Sequence, residues 1–213
     1  SMIDYSLYLV TDRSLSKGRS NREIVEAAVA GGVTCVQLRE KHCGTREFIH
    51  EALALRPLLR DHNIPLIIND RLDVALAVAA DGVHLGQSDM PIAMARKIAG
   101  RSLLIGISAE SADDALKAEQ EGADYIGISP VFSTPTKIDT APPLGLEGVS
   151  KICGLVDIPL VGIGGINLDN AASVIGAGAD GVAVVSAIVS AEDPTDATSM
   201  LKTLVDQALS RKG

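Results

Sequence analysis

The chain has 213 residues and a formal net charge of −8, with 46% hydrophobic and 22% charged residues. This length and composition are typical of a globular protein with a sizeable core. The acidic balance argues against a nucleic-acid surface, which needs a basic face. Aromatic residues make up only 2% and tryptophan is absent, so stacking platforms for bases or sugars are not expected.

Cysteine usage and the absence of export signals bear on location. Cys35, Cys43 and Cys153 match neither a disulfide framework nor a zinc pattern, so we expect a reducing, cytoplasmic environment. The first residues lack the basic and apolar regions of a signal peptide. No apolar run approaches the roughly 18 residues of a membrane span, so no membrane partner is expected. We exclude Ser1 as an expression remnant and predict a single domain over residues 2–213.

Short apolar runs rich in β-branched residues recur along the chain and predict strands. Most are apolar on both faces, as in parallel strands that are covered by helices. The eight predicted strands are 7–11, 33–39, 65–69, 82–86, 103–108, 124–129, 159–164 and 181–186.

Stretches with helical spacing lie between these strands. The predicted helices include 22–30, 46–60, 72–80, 111–121, 170–176 and 195–209. Repeated strand–helix order favours a parallel α/β fold, and eight units of about 27 residues approach the lower size of a (β/α)8 barrel. We therefore predict an α/β, single-domain (β/α)8 TIM barrel. The alternative, a doubly wound open sheet, would be favoured by a glycine-rich turn after the first strand, and residues 11–15 contain no glycine.

The end of the second predicted strand carries two cations and an amide. Gln37, Arg39 and Lys41 occupy alternate positions and therefore share one face of the strand. At the carboxyl end of a barrel strand, this set predicts a phosphate site. The alternative is solvated charge or surface salt bridges. Glu40 lies on the opposite face, where its expected role is to pair with a cation.

Carboxylates follow the next two strands. The third strand ends in Asn69-Asp70, and Asp89 follows the fourth. Two carboxylates at one rim suit Mg²⁺, which takes one or two of them together with substrate phosphates and waters. The alternative for each is an N-cap of the next helix, which Asp89 before Pro91 fits well. His84 is either a general acid or base, or a buried structural histidine.

Hydroxyls and a lysine follow the fifth and sixth strands. Ser108 closes the fifth strand. Residues 133–146 form a long segment rich in proline, threonine and glycine, which predicts a lid over the site. This segment supplies the hydroxyls of Thr134 and Thr136 and the cation of Lys137. A surface loop with an incidental lysine is the alternative.

The last two strand ends predict a second anion site. They carry Gly164-Gly165 and Val185-Ser186, and glycine lets backbone approach a ligand closely. Phosphate sites in barrels are frequently built from backbone N–H groups at these two strand ends. A tight turn that merely needs glycine is the alternative. Two separate anion sites on one rim suit two phosphorylated substrates, or one substrate with a phosphate at each end.

Five motifs, each at a predicted strand end, resemble those of the thiamine-phosphate synthase family, also called thiamine-phosphate pyrophosphorylase. They occur in order between about Tyr8 and Ile188, nearly the whole chain, and together they are specific where any one alone would be weak. The motifs are QLREK at 37–41, INDR at 68–71, DGVHLGQSD at 81–89, TPTK at 134–137 and VVS at 184–186.

The resemblance implies a (β/α)8 barrel that joins 4-amino-5-hydroxymethyl-2-methylpyrimidine pyrophosphate to hydroxyethylthiazole phosphate, giving thiamine phosphate and pyrophosphate. It implies that Asp70 and Asp89 bind Mg²⁺. It assigns the thiazole phosphate to Gly165, Val185 and Ser186, with Thr134 and Thr136 against that phosphate or the pyrophosphate. The residues it places on the pyrimidine pyrophosphate are Gln37, Arg39, Lys41, Asn69, Ser108 and Lys137.

The resemblance also implies a reaction order. The pyrophosphate leaves first, the pyrimidine methylene becomes a stabilised cation, and the thiazole nitrogen captures it. The main catalytic need is then stabilisation of charge on the leaving group, which assigns catalysis to Arg39, Lys41 and Lys137 together with Mg²⁺. One position departs from the family: Glu110 stands where many members carry a histidine.

Two alternatives remain at this point. A thiazole phosphate tautomerase of the same superfamily would keep the thiazole phosphate site without needing the metal and pyrophosphate residues. A non-catalytic thiamine-precursor-binding regulatory protein would keep the pocket alone. The joint presence of the metal and pyrophosphate set favours the transferase. The expected partners are small phosphorylated substrates and no nucleic acid, and a homodimer is compatible with this interpretation.

Overall fold

The computed structural model describes residues 2–134 and 141–213. Its centre is a closed barrel of eight parallel strands in sequential order, in which the first strand pairs with both the second and the eighth. The strands are β1 Leu7–Val10, β2 Cys35–Leu38, β3 Leu66–Asn69, β4 Gly82–Leu85, β5 Leu104–Ala109, β6 Tyr125–Ile128, β7 Leu160–Ile163 and β8 Gly181–Val184.

Helices follow the strands and surround the barrel. A short 3₁₀ helix, Arg13–Leu15, precedes the first of them. The α-helices are α1 Asn21–Gly31, α2 Thr45–Asp61, α3 Leu72–Ala77, α4 Ile92–Ala99, α5 Ala112–Gln120, α6 Gly145–Cys153, α7 Ala171–Gly176, α8 Ser186–Val189 and α9 Pro194–Lys212. The predicted (β/α)8 barrel is confirmed. The open-sheet alternative is wrong because β1 and β8 are paired along their length.

Most strands are four residues long, and their side chains are buried on both faces. Successive side chains alternate between the barrel interior and the surrounding helices. One buried cluster is centred on Tyr8, Cys35, Ile67, Tyr125 and Val161, while a larger cluster joins the other strand faces to the helices. The apolar runs of the sequence are therefore explained by burial on both sides.

Some of the predicted strand ends differ from those in the structure. Arg39 and Gly86 lie beyond their strands, and Ser186 begins helix α8 instead of ending β8. The predicted lid, 133–146, ends inside α6, which begins at Gly145. Residues 135–140 lie outside the described part of the chain.

The outer helices are tightly packed where α1 meets α9. A Cβ added to Gly31 would lie 2.5 Å from the Cβ of Thr198 and 2.6 Å from the carbonyl oxygen of Thr195. Glycine at this position therefore allows the two helices to cross in close contact. Within residues 2–134 and 141–213, the structure has no helix that is both long and apolar enough to cross a membrane.

Candidate active site

Most of the predicted site residues that the structure describes lie at the carboxyl ends of the strands, on one mouth of the barrel. Arg39 and Lys41 follow β2, Asn69 ends β3 and Asp70 follows it, and Asp89 lies in the loop after β4. This mouth is where parallel barrels assemble groups from different strands into one site. The fold thus brings residues that are far apart in the sequence to the same end of the barrel.

Lys41, Asp70 and Asp89 form a charged cluster at this mouth. The Lys41 ammonium donates to Oδ2 of Asp70, and Asp89 lies close enough to Asp70 for the two carboxyls to shift each other's pKa. Oδ2 of Asp89 also accepts from the backbone N–H of Gly86 at 2.7 Å. Two carboxyl groups and one ammonium group therefore lie close together at the barrel mouth.

The pKa values of Asp70 and Asp89 are shifted in opposite directions. Burial opposes the charged form of Asp70, but hydrogen bonds from Lys41 and Asp89 outweigh it and lower the pKa of this carboxyl. For Asp89, burial and the hydrogen bond to Asp70 raise the pKa above its ordinary value.

Neither aspartate caps the following helix, so the N-cap interpretation is wrong for both. Helix α3 begins after Arg71 and α4 after Pro91, and neither residue makes a side-chain cap hydrogen bond. Asp70 adopts a left-handed backbone conformation with φ +64°, and its N–H donates to the carbonyl of His84 at 2.8 Å. Its backbone is thus tied to β4 while its carboxylate faces Lys41.

Arg39 has a different acidic partner. Its guanidinium lies 3.5 Å from Oδ2 of Asp12, in the loop after β1. Its backbone N–H donates to the Thr11 hydroxyl at 3.0 Å. Glu40 pairs with a cation as predicted: its carboxylate lies 2.7 Å from Nε of Arg13. Arg39 and Glu40, which follow β2, are therefore both bonded to residues that follow β1.

Gln37 and His84 lie inside the barrel and belong to one hydrogen-bonded chain. Gln37 donates to the Tyr8 hydroxyl at 2.8 Å, and the hydroxyls of Tyr8 and Tyr125 are 2.6 Å apart. His84 lies 2.8 Å from the Tyr125 hydroxyl through Nδ1 and 2.8 Å from the Ser108 hydroxyl through Nε2. The buried, hydrogen-bonded interpretation of His84 therefore describes its geometry.

The residues of the predicted second anion site lie together at the ends of β7 and β8. Gly164 and Gly165 have φ angles of +104° and +68°, which glycine adopts without strain. An added Cβ would also approach Pro130 or Phe132 to 2.9 Å. Turn conformation and packing thus account for both glycines, as the turn interpretation requires, and the phosphate role remains a prediction.

The remaining predicted residues lie in loops, at the start of α8 or outside the described part of the chain. Thr134 is half-buried in the loop after β6, and Val185 precedes helix α8, which Ser186 begins. Thr136 and Lys137 lie outside the described residues. Glu110, the position that departs from the family, is exposed.

Sequence reasoning missed Tyr8, Asp12, Arg13 and Tyr125. Applying the strand-end rule to the first strand would have found Asp12 and Arg13, because both directly follow it. Tyr8 and Tyr125 stand among apolar strand residues, so the local sequence predicts only that they are buried in the core.

Comparisons with known proteins agree with this geometry. The family model described as thiamine monophosphate synthase matches residues 7–188. A thiamine-phosphate synthase of Chloroflexus aurantiacus is 57% identical over 96% of this chain and 94% of its own length. One of Albidiferax ferrireducens is 54% identical over 94% of this chain and 91% of its own.

A solved structure extends the similarity to the fold. The thiamine phosphate pyrophosphorylase of Pyrococcus furiosus superposes with a TM-score of 0.91 at 46% identity, covering 97% of this chain and 98% of its own. The barrel, the motif residues at its mouth and these similarities lead to one conclusion. The chain belongs to the thiamine monophosphate synthase family.

Proposed function

We propose that this chain is a transferase of thiamine biosynthesis. It condenses 4-amino-5-hydroxymethyl-2-methylpyrimidine pyrophosphate with hydroxyethylthiazole phosphate and releases thiamine phosphate and pyrophosphate. The observation that carries the proposal is the cluster of Lys41, Asp70 and Asp89 at the barrel mouth, in a chain 57% identical to a thiamine-phosphate synthase. Cations beside carboxylates suit a reaction whose leaving group is a diphosphate.

Arg39, Lys41 and Lys137 are the catalytic residues of this proposal. Their positive charges stabilise the pyrophosphate as the carbon–oxygen bond to the pyrimidine methylene breaks. Lys41 is paired with Asp70, and Arg39 with Asp12. These carboxylates hold the two cations at the barrel mouth, where phosphate oxygens of the substrate would bind them.

The aspartate pair fits a magnesium ion. Its carboxyl groups lie close enough to shift each other's pKa, and oxygen donors are the ligands that Mg²⁺ prefers. Among residues 2–134 and 141–213, no group of three or more His, Cys, Asp or Glu could hold a metal. Asp70 and Asp89 would therefore hold the ion together with phosphate oxygens and water. When bound, Mg²⁺ supplies a Lewis acid for the leaving pyrophosphate.

The two substrates are assigned to different parts of the mouth. Gln37, Asn69 and Ser108 contact the pyrimidine substrate from β2, β3 and β5. Gly165, Val185 and Ser186 hold the thiazole phosphate, mainly through backbone groups. Thr134 and Thr136 lie against that phosphate or the pyrophosphate. Capture by the thiazole nitrogen then needs no nucleophilic side chain from the protein.

No observation favours the tautomerase or the non-catalytic regulatory protein over the transferase. A tautomerase releases no pyrophosphate and has no need of Lys41 beside an aspartate pair. A binding protein has little need of a metal at a leaving group. We place the transferase in the cytoplasm, consistent with the free thiols of Cys35, Cys43 and Cys153. Its partners are small phosphorylated substrates, and a homodimer is compatible with the proposal.

An assay of both products tests the proposal. Purified protein is given both substrates, with and without Mg²⁺, and thiamine phosphate and pyrophosphate are quantified. Equal amounts of both products, formed only with Mg²⁺, are expected. No product with both substrates and Mg²⁺ would refute the transferase, and full turnover without any divalent cation would refute the metal role.

The Asp70→Asn variant tests the metal site separately. Asparagine tolerates the left-handed backbone at this position, so the variant removes charge and preserves the fold. We expect loss of Mg²⁺-dependent turnover with little change in thermal stability. Asp73→Asn, a neighbouring exposed aspartate paired with Arg71, is the matched control and should retain activity. Full activity in Asp70→Asn would remove the assignment.

A further inference from the structure

A chain of hydrogen bonds crosses the barrel interior and joins two residues that the proposed function places on the pyrimidine substrate. It runs from Gln37 on β2 through Tyr8 and Tyr125 to His84, and ends at Ser108 on β5. Its successive distances are 2.8, 2.6, 2.8 and 2.8 Å. We call these five residues the relay.

The Gln37 end of the relay has a fixed direction. The Gln37 amide nitrogen can only donate, so the Tyr8 oxygen accepts from it. The 2.6 Å distance between the Tyr8 and Tyr125 hydroxyls admits either one as donor. Donation from Tyr8 to Tyr125, and from Tyr125 to Nδ1 of His84, is the arrangement in which each tyrosine hydroxyl both accepts and donates one of these bonds.

This direction sets the state of the last two members. A neutral imidazole that accepts at Nδ1 carries its proton on Nε2. Nε2–H of His84 then donates to the Ser108 oxygen. The Ser108 proton is left to point to an acceptor other than His84. Ser108 is only partly buried, at the end of β5 beside the barrel mouth.

The surrounding barrel makes room for the relay. A Cβ on Gly106 would lie 2.1 Å from Cζ of Tyr125, and one on Gly127 would lie 3.2 Å from Cε1 of His84. Glycines on β5 and β6 thus leave the space that the two rings occupy. Burial raises the pKa of both Tyr8 and Tyr125 well above the ordinary value, so both hydroxyls keep their protons at neutral pH.

We propose that Tyr8 and Tyr125 are positioning residues for the transfer reaction. Their paired hydroxyls hold His84 in the Nε2–H tautomer and thereby make Ser108 a hydrogen-bond donor to the pyrimidine substrate. At the other end they orient the Gln37 amide. This inference rests on the proposed function, because the substrate contacts of Gln37 and Ser108 belong to it.

Kinetics of Tyr125→Phe give the first test. The variant keeps the ring and removes the central hydroxyl, so we expect kcat to fall about tenfold, the effect of losing one well-placed hydrogen bond. KM for the thiazole phosphate should stay unchanged, because the relay does not reach β7 or β8. An unchanged kcat would overturn the proposal.

Tyr5→Phe is the matched control. The Tyr5 ring lies 4.7 Å from the Tyr125 ring, centroid to centroid, but its hydroxyl is outside the relay. We expect kcat of this variant to equal that of the wild type. An equal loss in both variants would show that the aromatic cluster acts only through packing.

A double variant tests whether Tyr125 acts through Ser108. In a Ser108→Ala background the effect of Tyr125→Phe should shrink from about tenfold to about threefold or less, because the same path is already broken. Multiplicative losses would contradict the proposed coupling.

Nitrogen NMR of the ligand-free protein tests the relay without any assay of activity. At a pH of about 8.5, where an ordinary imidazole is uncharged, His84 should be the Nε2–H tautomer in the wild type and in Tyr5→Phe. Tyr125→Phe should give a tautomer mixture. An Nδ1–H tautomer in the wild type, or no change in Tyr125→Phe, would refute the inference even if the transferase activity is established. The expected spectra without thiamine phosphate production would refute the proposed function alone.

Discussion

Lys41 forms an ion pair with Asp70 at the barrel mouth. This pair keeps the ammonium group where the proposed function places the leaving diphosphate. Because this charge matters most when the leaving group develops negative charge, Lys41→Gln should lower kcat about 10²-fold or more and change KM less. Steady-state kinetics with both substrates measures the split. Lys202→Gln is the control, since Lys202 pairs with Asp206 on α9, and should leave both constants unchanged. A raised KM with unchanged kcat would make Lys41 an ordinary binding residue.

At this scale, the sequence predicts polar side chains at and after the strand ends and misses the two tyrosines inside the barrel. The placement of Lys41, Asp70 and Asp89 follows from the rule that parallel strand ends share one edge. The contact of Tyr8 with Tyr125 joins residues 117 positions apart, and nothing local distinguishes a relay hydroxyl from a core tyrosine. The same strand-end rule, applied to β1, predicts that Asp12 lies near Arg39.

The contact between α1 and α9 is set by Gly31. In an isolated helix, alanine is more stable than glycine by about 1 kcal/mol. Here the added Cβ would overlap Thr198 and the Thr195 carbonyl, so Gly31→Ala should destabilise the protein by about 1–3 kcal/mol. Urea unfolding measures the change. Gly176→Ala, in helix α7 with open space around its Cβ, should be neutral or stabilising. Stabilisation by both variants would contradict the packing argument.

At the scale of elements, every predicted strand overlaps an observed one, because burial on both faces leaves a continuous apolar run. Element ends were less predictable. Ser186 is predicted to end a strand, yet it begins a helix, because it is the single polar residue in an apolar run that continues from β8 through α8. The strand-to-helix change there depends on barrel geometry that the local sequence does not encode.

Two of the three cysteines distinguish the folded protein from the unfolded protein. Cys35 is fully buried in the barrel interior, and burial raises its pKa well above the ordinary value, whereas Cys153 is exposed. Since the thiolate is the reactive form, a thiol reagent should modify Cys153 within minutes and Cys35 only upon unfolding. Labelling followed by mass spectrometry of peptides measures both rates, with Cys153→Ser as control. Rapid labelling of Cys35 in folded protein would contradict a closed barrel.

The pairing of β1 with β8 has a consequence for synthesis on the ribosome. The ring cannot close until residue 184 has emerged, so for most of translation β1 presents an unpaired edge. Gln37, Arg39, Lys41 and Asn69, assigned to the pyrimidine substrate, emerge within the first third of the chain, whereas Gly165, Val185 and Ser186, assigned to the thiazole phosphate, follow the last two strands. A nascent chain could thus carry half a binding site long before it could carry out a reaction, and joining the two halves would coincide with sealing the exposed edge.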